Sequence, residues 1–280
     1  MFNLQKKTVL GIIVLYNPEL YYVQNSVVKY LECLDHVFVW DNSEVCHKEI
    51  FETMENLSYF SDKKNIGLSR AYQKGVEFAQ QKGFELIMTI DQDSQWENLS
   101  SFITHSKEYL NFNKCILGPW PYAKRKLSCS SRLQEADWVI NSGLITTVDL
   151  IESIGGYSSF FFIDGIDIEI CLRAKKMGFK VFFDTQSQII QKYGDLIAVD
   201  FFYKKVSYNA YSSSRYKDII FTHLYLYRLY KNKHLLKDLI GYFKLGIKMM
   251  LLDGNARWGL IKAMIKGVIL GMTIRIKELS

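Results

Sequence analysis

The sequence predicts an α/β fold in which a mixed sheet is flanked by helices and followed by a basic helical region. Three observations carry that expectation. Short apolar runs alternate with helical patterns over the first half of the chain, each early run stops at a polar cluster, and the sign of the charge changes between residues 1–200 and 201–280. The first run, Val9 to Tyr16, is almost continuously apolar, as in a central parallel strand buried on both faces. Val37 to Trp40, ending in Asp41-Asn42-Ser43, reads as a second strand. Leu86 to Ile90, ending in Asp91-Gln92-Asp93-Ser94, reads as another, and a further short one is expected ahead of Asn65. Between them Leu20 to Leu34, Lys48 to Asn56 and Ser69 to Lys82 carry helical patterns, which completes a βαβ rhythm. Ligands of open sheets sit beyond the carboxyl ends of the strands, so Asp41, Asp91 and Asp93 fall on the ligand side. Later come an aromatic run, Phe160 to Ile163, a helix from Gly165 to Met177 closed by Gly178, and a strand from Phe179 to Phe183. No strand is expected after about Ile190. A boundary near Asp200 separates a body, 1–200, from a helical region, 201–280.

With 280 residues, 49% of them hydrophobic and 23% charged, the composition excludes disordered and collagen-like chains. No stretch free of Asp, Glu, Lys and Arg exceeds 11 residues, short of the roughly 18 to 20 that span a bilayer, so no membrane-crossing helix is expected. The apolar run after Lys7 meets Asn17-Pro18-Glu19 instead of a small-residue cleavage site, and the expectation is a cytoplasmic protein without a signal peptide. Five scattered cysteines without CxxC spacing argue for buried thiols over a disulfide framework or zinc site. His36, His47, His105, His223 and His234 read as structural or exposed, and no ordering of Ser, His and Asp suggests an acyl-transfer triad.

Residues 201–280 hold 15 Lys and Arg against 4 Asp and Glu, a charge of +11, leaving −5 for residues 1–200. An acidic body suggests carboxylates gathered for chemistry, and a basic tail suggests an anionic surface. Asp91-Gln92-Asp93 is the sharpest local signal. Two carboxylates on a strand-end turn can hold Mg²⁺ or Mn²⁺ while leaving positions open for diphosphate oxygens, although the same spacing also occurs in solvated loops. The stretch Asn65-Ile66-Gly67-Leu68-Ser69-Arg70 enters a helix with small residues where a nucleotide would approach the backbone. It is neither a dinucleotide fingerprint nor a P-loop. Asp164, Asp167 and Glu169 gather at the start of a helix whose Ile166, Ile170, Ala174 and Met177 form an apolar stripe. Asp164 could be a plain N-cap and the others could serve the helix dipole. The functional reading makes Asp167 a general base that takes a proton from an acceptor hydroxyl.

In order along the chain, Asp41-Asn42-Ser43, Asn65-x-Gly67, Asp91-Gln92-Asp93-Ser94, Ser142-Gly143 and Asp164-x-x-Asp167-x-Glu169-x-Cys171-x-Arg173 resemble the family 2 glycosyltransferases, over about residues 8 to 195. Within them the chain looks most like the bacterial rhamnosyltransferases of O-antigen and capsule assembly. That resemblance implies a GT-A fold, a donor site of Tyr16, Asn17, Asp41, Asn65, Gly67, Arg70, Asp91, Gln92, Ser142 and Gly143, and a divalent cation held by Asp93 and Asp91. It also implies Asp167 as the base, supported by Asp164, Glu169 and Arg173. Gln191 stands where relatives commonly carry a metal-binding histidine; an amide oxygen suits Mg²⁺ better than Mn²⁺.

The implied reaction is inverting transfer of L-rhamnose from dTDP-L-rhamnose to a hydroxyl of an oligosaccharide or polyprenyl-diphosphate-linked glycan. Two alternatives remain at this stage: a UDP-sugar-dependent enzyme, and a catalytically weak scaffold that binds sugar nucleotide, motivated by Gln191. Between Leu235 and Leu252, Lys237, Lys244 and Lys248 lie beside an apolar side of Leu236, Leu239, Ile240, Phe243, Ile247 and Met250. Lys262, Lys266 and Lys277 make a similar stripe. Such helices suit an anionic bilayer surface, at about 1 kcal/mol per basic residue, or packing against the body. Peripheral association with the inner face of the plasma membrane is therefore expected. Nucleic acid is not an expected partner, and homodimerisation is open.

Overall fold

A computed structural model describes residues 7–121, 131–190, 195–201, 204–252 and 257–276. The chain divides into two compact units, meeting in sequence at Gln191 and Lys192.

The first unit is built on β1 (Val9–Leu15), α1 (Leu20–Leu31), β2 (His36–Asp41), β3 (Leu57–Ser61), α2 (Leu68–Lys82), β4 (Leu86–Asp91), β5 (Gln95–Trp96) and α3 (Leu99–Leu110). It continues with β6 (Cys115–Pro121), β7 (Leu133–Glu135), β8 (Ile145–Thr147), α4 (Val148–Ser153), α5 (Ile166–Lys176) and β9 (Lys180–Ile190). The nine strands form one sheet in the order β3-β2-β1-β4-β8-β6-β9-β5, with β7 on β9. β3, β2, β1 and β4 run parallel, whereas β8 is antiparallel to both its neighbours. The sheet is therefore mixed. Every residue of β1 is buried, because it has helices on both sides. Val9, Ile13 and Leu15 pack with Val23, Val27 and Tyr30 of α1 and Phe102 of α3. On the opposite face Gly75 of α2 lies so close to Ile12 that an added Cβ would stand 2.6 Å from its side chain.

Two expected features are corrected here. Lys48 to Asn56 holds only a single 3-10 turn, Lys48–Phe51; Phe51 is buried against Tyr59 at 5.6 Å between ring centroids, and Asn56 turns the backbone at a φ of 56°. The apolar stripe of α5 buries Ile166, Ile170 and Ala174 but leaves Met177 exposed, because Met177 follows the last helical residue.

The second unit opens with a two-stranded antiparallel sheet, β10 (Asp195–Phe201) and β11 (Lys204–Ala210), where a wholly helical pattern was expected. The helices α6 (Ser213–Tyr230), α7 (Lys233–Leu252) and α8 (Arg257–Thr273) follow. Ser212 caps α6 by accepting from the Arg215 amide. Tyr216, Ile220, Leu239, Met249 and Leu260 form the unit's core. α7 carries two apolar stripes: Leu235, Leu239 and Met249 face inward, while Leu236, Ile240, Ile247 and Leu251 are exposed. No helix among the described residues is long and apolar enough to cross a membrane.

Candidate active site at the strand ends

Parallel register brings the ends of β2, β1 and β4 level, with Leu15 opposite Asp41 and Val14 opposite Asp91. Side-chain hydrogen bonds then tie the loops beyond them together. The Asn17 amide donates to Ser43 Oγ at 2.8 Å. The Gln92 side chain bonds the Tyr16 backbone in both directions, accepting from its N–H at 2.9 Å and donating to its carbonyl at 3.2 Å. Asn42 Oδ1 accepts from the Trp40 indole at 3.1 Å and from the Ile66 amide at 3.2 Å, linking β2 to the turn before α2.

Asp41 is fully buried. Its carboxylate accepts from the Ser43 amide at 2.9 Å and from the Tyr59 hydroxyl at 2.6 Å, and His47 Nδ1 lies 2.8 Å away. Burial alone would raise its pKa, but these hydrogen bonds outweigh it and hold the carboxyl below its ordinary value. In this arrangement Asp41 organises the strand-end loop. His47, read from the sequence as structural or exposed, is one of its partners.

At the start of α2, Asn65 Oδ1 accepts from the Gly67 amide at 2.9 Å. Gly67 sits at a φ of 88°, where a Cβ would come within 2.7 Å of the Phe162 ring. The Leu68 amide donates to the Phe162 carbonyl at 2.7 Å. Only glycine permits that approach, which joins α2 to the aromatic run. Arg70 is exposed on the first turn of α2.

Asp91 closes β4, and its Oδ1 accepts from the Tyr72 hydroxyl at 3.1 Å. Asp93 is exposed on the turn that follows. Ser142 is fully buried; its Oγ accepts from the Asp91 amide at 3.3 Å and makes a short hydrogen bond with Ser94 Oγ. The adjacent Gly143 amide donates to Thr89 O at 2.7 Å, and Gly143 at a φ of 90° lies against Trp96 and Pro119. Ser142 and Gly143 thus hold the turn behind Asp91.

The same turn acts on α5, because the backbone of Asn141 lowers the pKa of the Asp167 carboxyl. Asp167 is half-buried in the first turn of α5, with its Oδ1 accepting from the Ile168 amide at 2.9 Å. Burial raises its pKa to about 6; the Ile168 and Asn141 amides oppose the rise and the neighbouring charge of Asp164 adds to it. Gly165, at a φ of 82°, is the N-cap, so Asp164 does not cap the helix. The Tyr72 hydroxyl is fully buried, and its pKa is raised by burial and by the charges of Asp91, to which it donates, and Asp167.

Glu169 and Arg173 form a buried bidentate pair, Nε to Oε1 at 2.8 Å and Nη2 to Oε2 at 2.9 Å. Arg173 also donates to the carbonyls of Ile154 and Gly156. These two residues secure α5 to the preceding turn. Gln191 lies outside the described residues; the described strand before it ends with Ile190 opposite Gln95.

Among the described residues no three His, Cys, Asp or Glu side chains cluster as a metal site. Of the two carboxylates that would hold a cation, Asp93 is exposed on the turn and Asp91 is half-buried and bonded to the Tyr72 hydroxyl, a donor set of the kind that leaves the remaining positions to water and diphosphate. Sequence reasoning missed Tyr59, Tyr72 and Phe162, whose contributions depend on contacts across the fold. Cys46 was also misjudged: it is exposed, whereas Cys115 and Cys171 are buried, and Cys129 lies outside the described residues.

The chain aligns with the crystal structure of GalNAc-T7 with UDP, GalNAc and Mn²⁺, at a TM-score of 0.54 and 13% identity, over 68% of its length. The chain spans 44% of that structure's length. The crystal structure of S. aureus TarS aligns over 95% of this chain and 50% of its own at a TM-score of 0.42 and 15% identity. No protein-family model matches the chain. The sheet and its flanking helices have the GT-A fold. More particularly, the chain resembles the bacterial rhamnosyltransferases: it is 26% identical over 206 residues to the dTDP-rhamnosyl transferase RfbF of Shigella flexneri, 66% of this chain and 69% of that protein.

Proposed function

We propose that the chain is an inverting glycosyltransferase that moves L-rhamnose from dTDP-L-rhamnose to a hydroxyl of a lipid-linked oligosaccharide in bacterial surface polysaccharide assembly. The observation that carries the mechanism is the Asn141–Gly143 turn, whose Ser142 hydroxyl bonds the Asp91 amide and whose Asn141 backbone acts electrostatically on the Asp167 carboxyl. A donor diphosphate beyond β4 would then have its sugar beside a half-buried carboxylate whose pKa suits proton abstraction near neutrality. Asp167 takes the acceptor hydroxyl's proton as that oxygen bonds the anomeric carbon. The bond to the diphosphate breaks with its electron pair, and the anomeric centre inverts. Asp91 and Asp93 would hold Mg²⁺ or Mn²⁺, which supplies charge neutralisation to the departing diphosphate. Tyr16, Asn17, Asn65, Gly67, Arg70 and Gln92 would surround the nucleotide, with Asp41 organising their loops. The rhamnosyl assignment rests on the likeness to the Shigella protein.

Membrane association is supported by the second unit. Trp258, Ile265, Ile269 and Met272 are exposed on α8 together with Lys262 and Lys266, a mixture suited to the interface of an anionic bilayer.

The test is calorimetric titration of dTDP-rhamnose and UDP-glucose, with Mg²⁺ or EDTA, into the wild type and Asp93→Ala. Metal-dependent binding selective for dTDP-rhamnose and lost in Asp93→Ala is expected. Selectivity for UDP-glucose would overturn the sugar assignment, and absence of donor binding would overturn the transferase reading.

A further inference from the structure

A cavity of about 930 Å³ lies beside α1, walled by Tyr21, Tyr22, Asn25 and Lys29 of that helix and by Gln95 and Trp96 beyond β4. None of Asp41, Asn65, Asp91, Asp93 or Asp167 lines it, so it is separate from the donor residues. It is nevertheless attached to them. Tyr30 and Ser94 also line the cavity, and the Tyr30 hydroxyl donates to the Ser94 carbonyl at 3.1 Å, one residue after Asp93.

The walls define the ligand's chemistry. α1 packs on the sheet through Val23, Val27 and Tyr30, leaving Tyr21 and Tyr22 outside the core at 75% and 59% exposure. Two adjacent exposed aromatic rings at a helix start expose apolar surface without a folding benefit, a pattern typical of a binding surface. Their planes lie 76° apart with centroids 6.0 Å from each other, offering two differently oriented apolar faces. Amide, hydroxyl and charged groups alternate with the rings. Lys29 and Glu32 both contribute, so the charge balances and a diphosphate or polyanion has no basic cluster to meet. Flat apolar faces ringed by hydrogen-bonding groups of both kinds suit a neutral sugar chain, whose C–H faces are apolar and whose edges are hydroxyls. The volume falls in the upper part of the range of small-ligand sites, room for several sugar rings.

We propose that this cavity is a glycan-binding subsite that holds the acceptor chain several sugars away from the reacting hydroxyl. The inference rests on the reading of the chain as a transferase acting on an oligosaccharide. Its effect would be to retain long acceptors near the Asp91-Gln92-Asp93 turn while short ones depend on the reacting site alone.

The experiment titrates the whole chain with rhamnohexaose, maltohexaose and chitohexaose by saturation-transfer NMR, in the wild type and in the double variant Tyr21→Ala/Tyr22→Ala. Donor calorimetry and thermal unfolding are run on both proteins. The expected result is saturable binding of at least one hexasaccharide, weakened on the order of tenfold or more in the variant, with donor affinity and unfolding midpoint retained. Hexasaccharide binding in neither protein, or equal binding in both, would overturn the subsite. A wild type that binds hexasaccharide through these tyrosines but no donor would uphold the subsite and overturn the transferase reading, so the two failures are distinguishable.

Discussion

Burial raises the Asp167 carboxyl to about 6, and the sign of that shift sets two opposite expectations. As a base it must be ionised, so transfer should fall as pH drops through about 6; the acid limb of kcat should disappear in Asp167→Asn, together with roughly 10²- to 10⁴-fold of the rate. For stability the folded protein keeps a proton that the unfolded chain has released between the ordinary pKa of 3.8 and about 6. Stability is therefore lost as pH rises through that window, and Asp167→Asn should unfold at a higher temperature than wild type at pH 7 and not at pH 4. Scanning calorimetry at the two pH values checks it; equal midpoints at pH 7 would refute the burial cost. Asp41 runs the other way, because its depressed pKa contributes stability above 3.8 that is lost as pH falls through its folded value. Tyr59→Phe removes the 2.6 Å hydrogen bond to it and should cost about 1.5–3 kcal/mol in urea unfolding. The acidic motifs were legible because carboxylates two and three apart at strand and helix ends stand out in a sequence. Tyr59, His47 and Tyr72 were not, since a tyrosine's value as a hydrogen-bond donor appears only when the fold brings a carboxylate to it.

At the scale of elements, Arg173 holds Glu169 and two backbone carbonyls in a buried setting. Arg173→Ala should destabilise by about 3–5 kcal/mol by removing the bidentate partner of a buried carboxylate. Urea unfolding measures this, and a loss below about 1 kcal/mol would contradict the buried pairing. Gly67→Ala should cost roughly 1–3 kcal/mol, through both its positive φ and the Phe162 ring, and weaken donor binding in calorimetry. β1, β2, β4 and α2 were readable because apolar runs and a helical stripe state their periodicity directly. The Lys48 to Asn56 segment imitates a helix for two turns, but burial of Phe51 and the left-handed Asn56 end it after one. The β10-β11 pairing escaped notice because no Asn-Gly or similar turn pair stands between the two strands in the sequence.

For the whole molecule, −5 over residues 1–200 and +11 over residues 201–280 make the two parts of the sequence electrostatically unlike. Lys262→Glu/Lys266→Glu should abolish co-sedimentation with phosphatidylserine vesicles at low salt, since each lysine near an anionic surface is worth about 1 kcal/mol and the change reverses both. Retention of vesicle binding would separate the tail from the membrane. The chain divides at Gln191 and Lys192, whereas the change of charge in the sequence puts the boundary near Asp200; charge sums over many residues and cannot fix a boundary to within a few of them.

The tyrosines that brace the strand ends have a consequence in alkali. Tyr30 and Tyr72 by burial, and Tyr59 by burial and its hydrogen bond to Asp41, are held well above the ordinary phenol value of 10.0. Above about pH 10 an unfolded chain sheds phenolic protons that the native one retains, so each of these rings draws the protein toward unfolding as the solution becomes more basic. Phenolate absorbance should consequently rise in two stages, first from the surface rings and then abruptly from the interior ones as the sheet edge opens. The fold thereby carries its own ultraviolet indicator for the integrity of the strand ends, with no added dye or label.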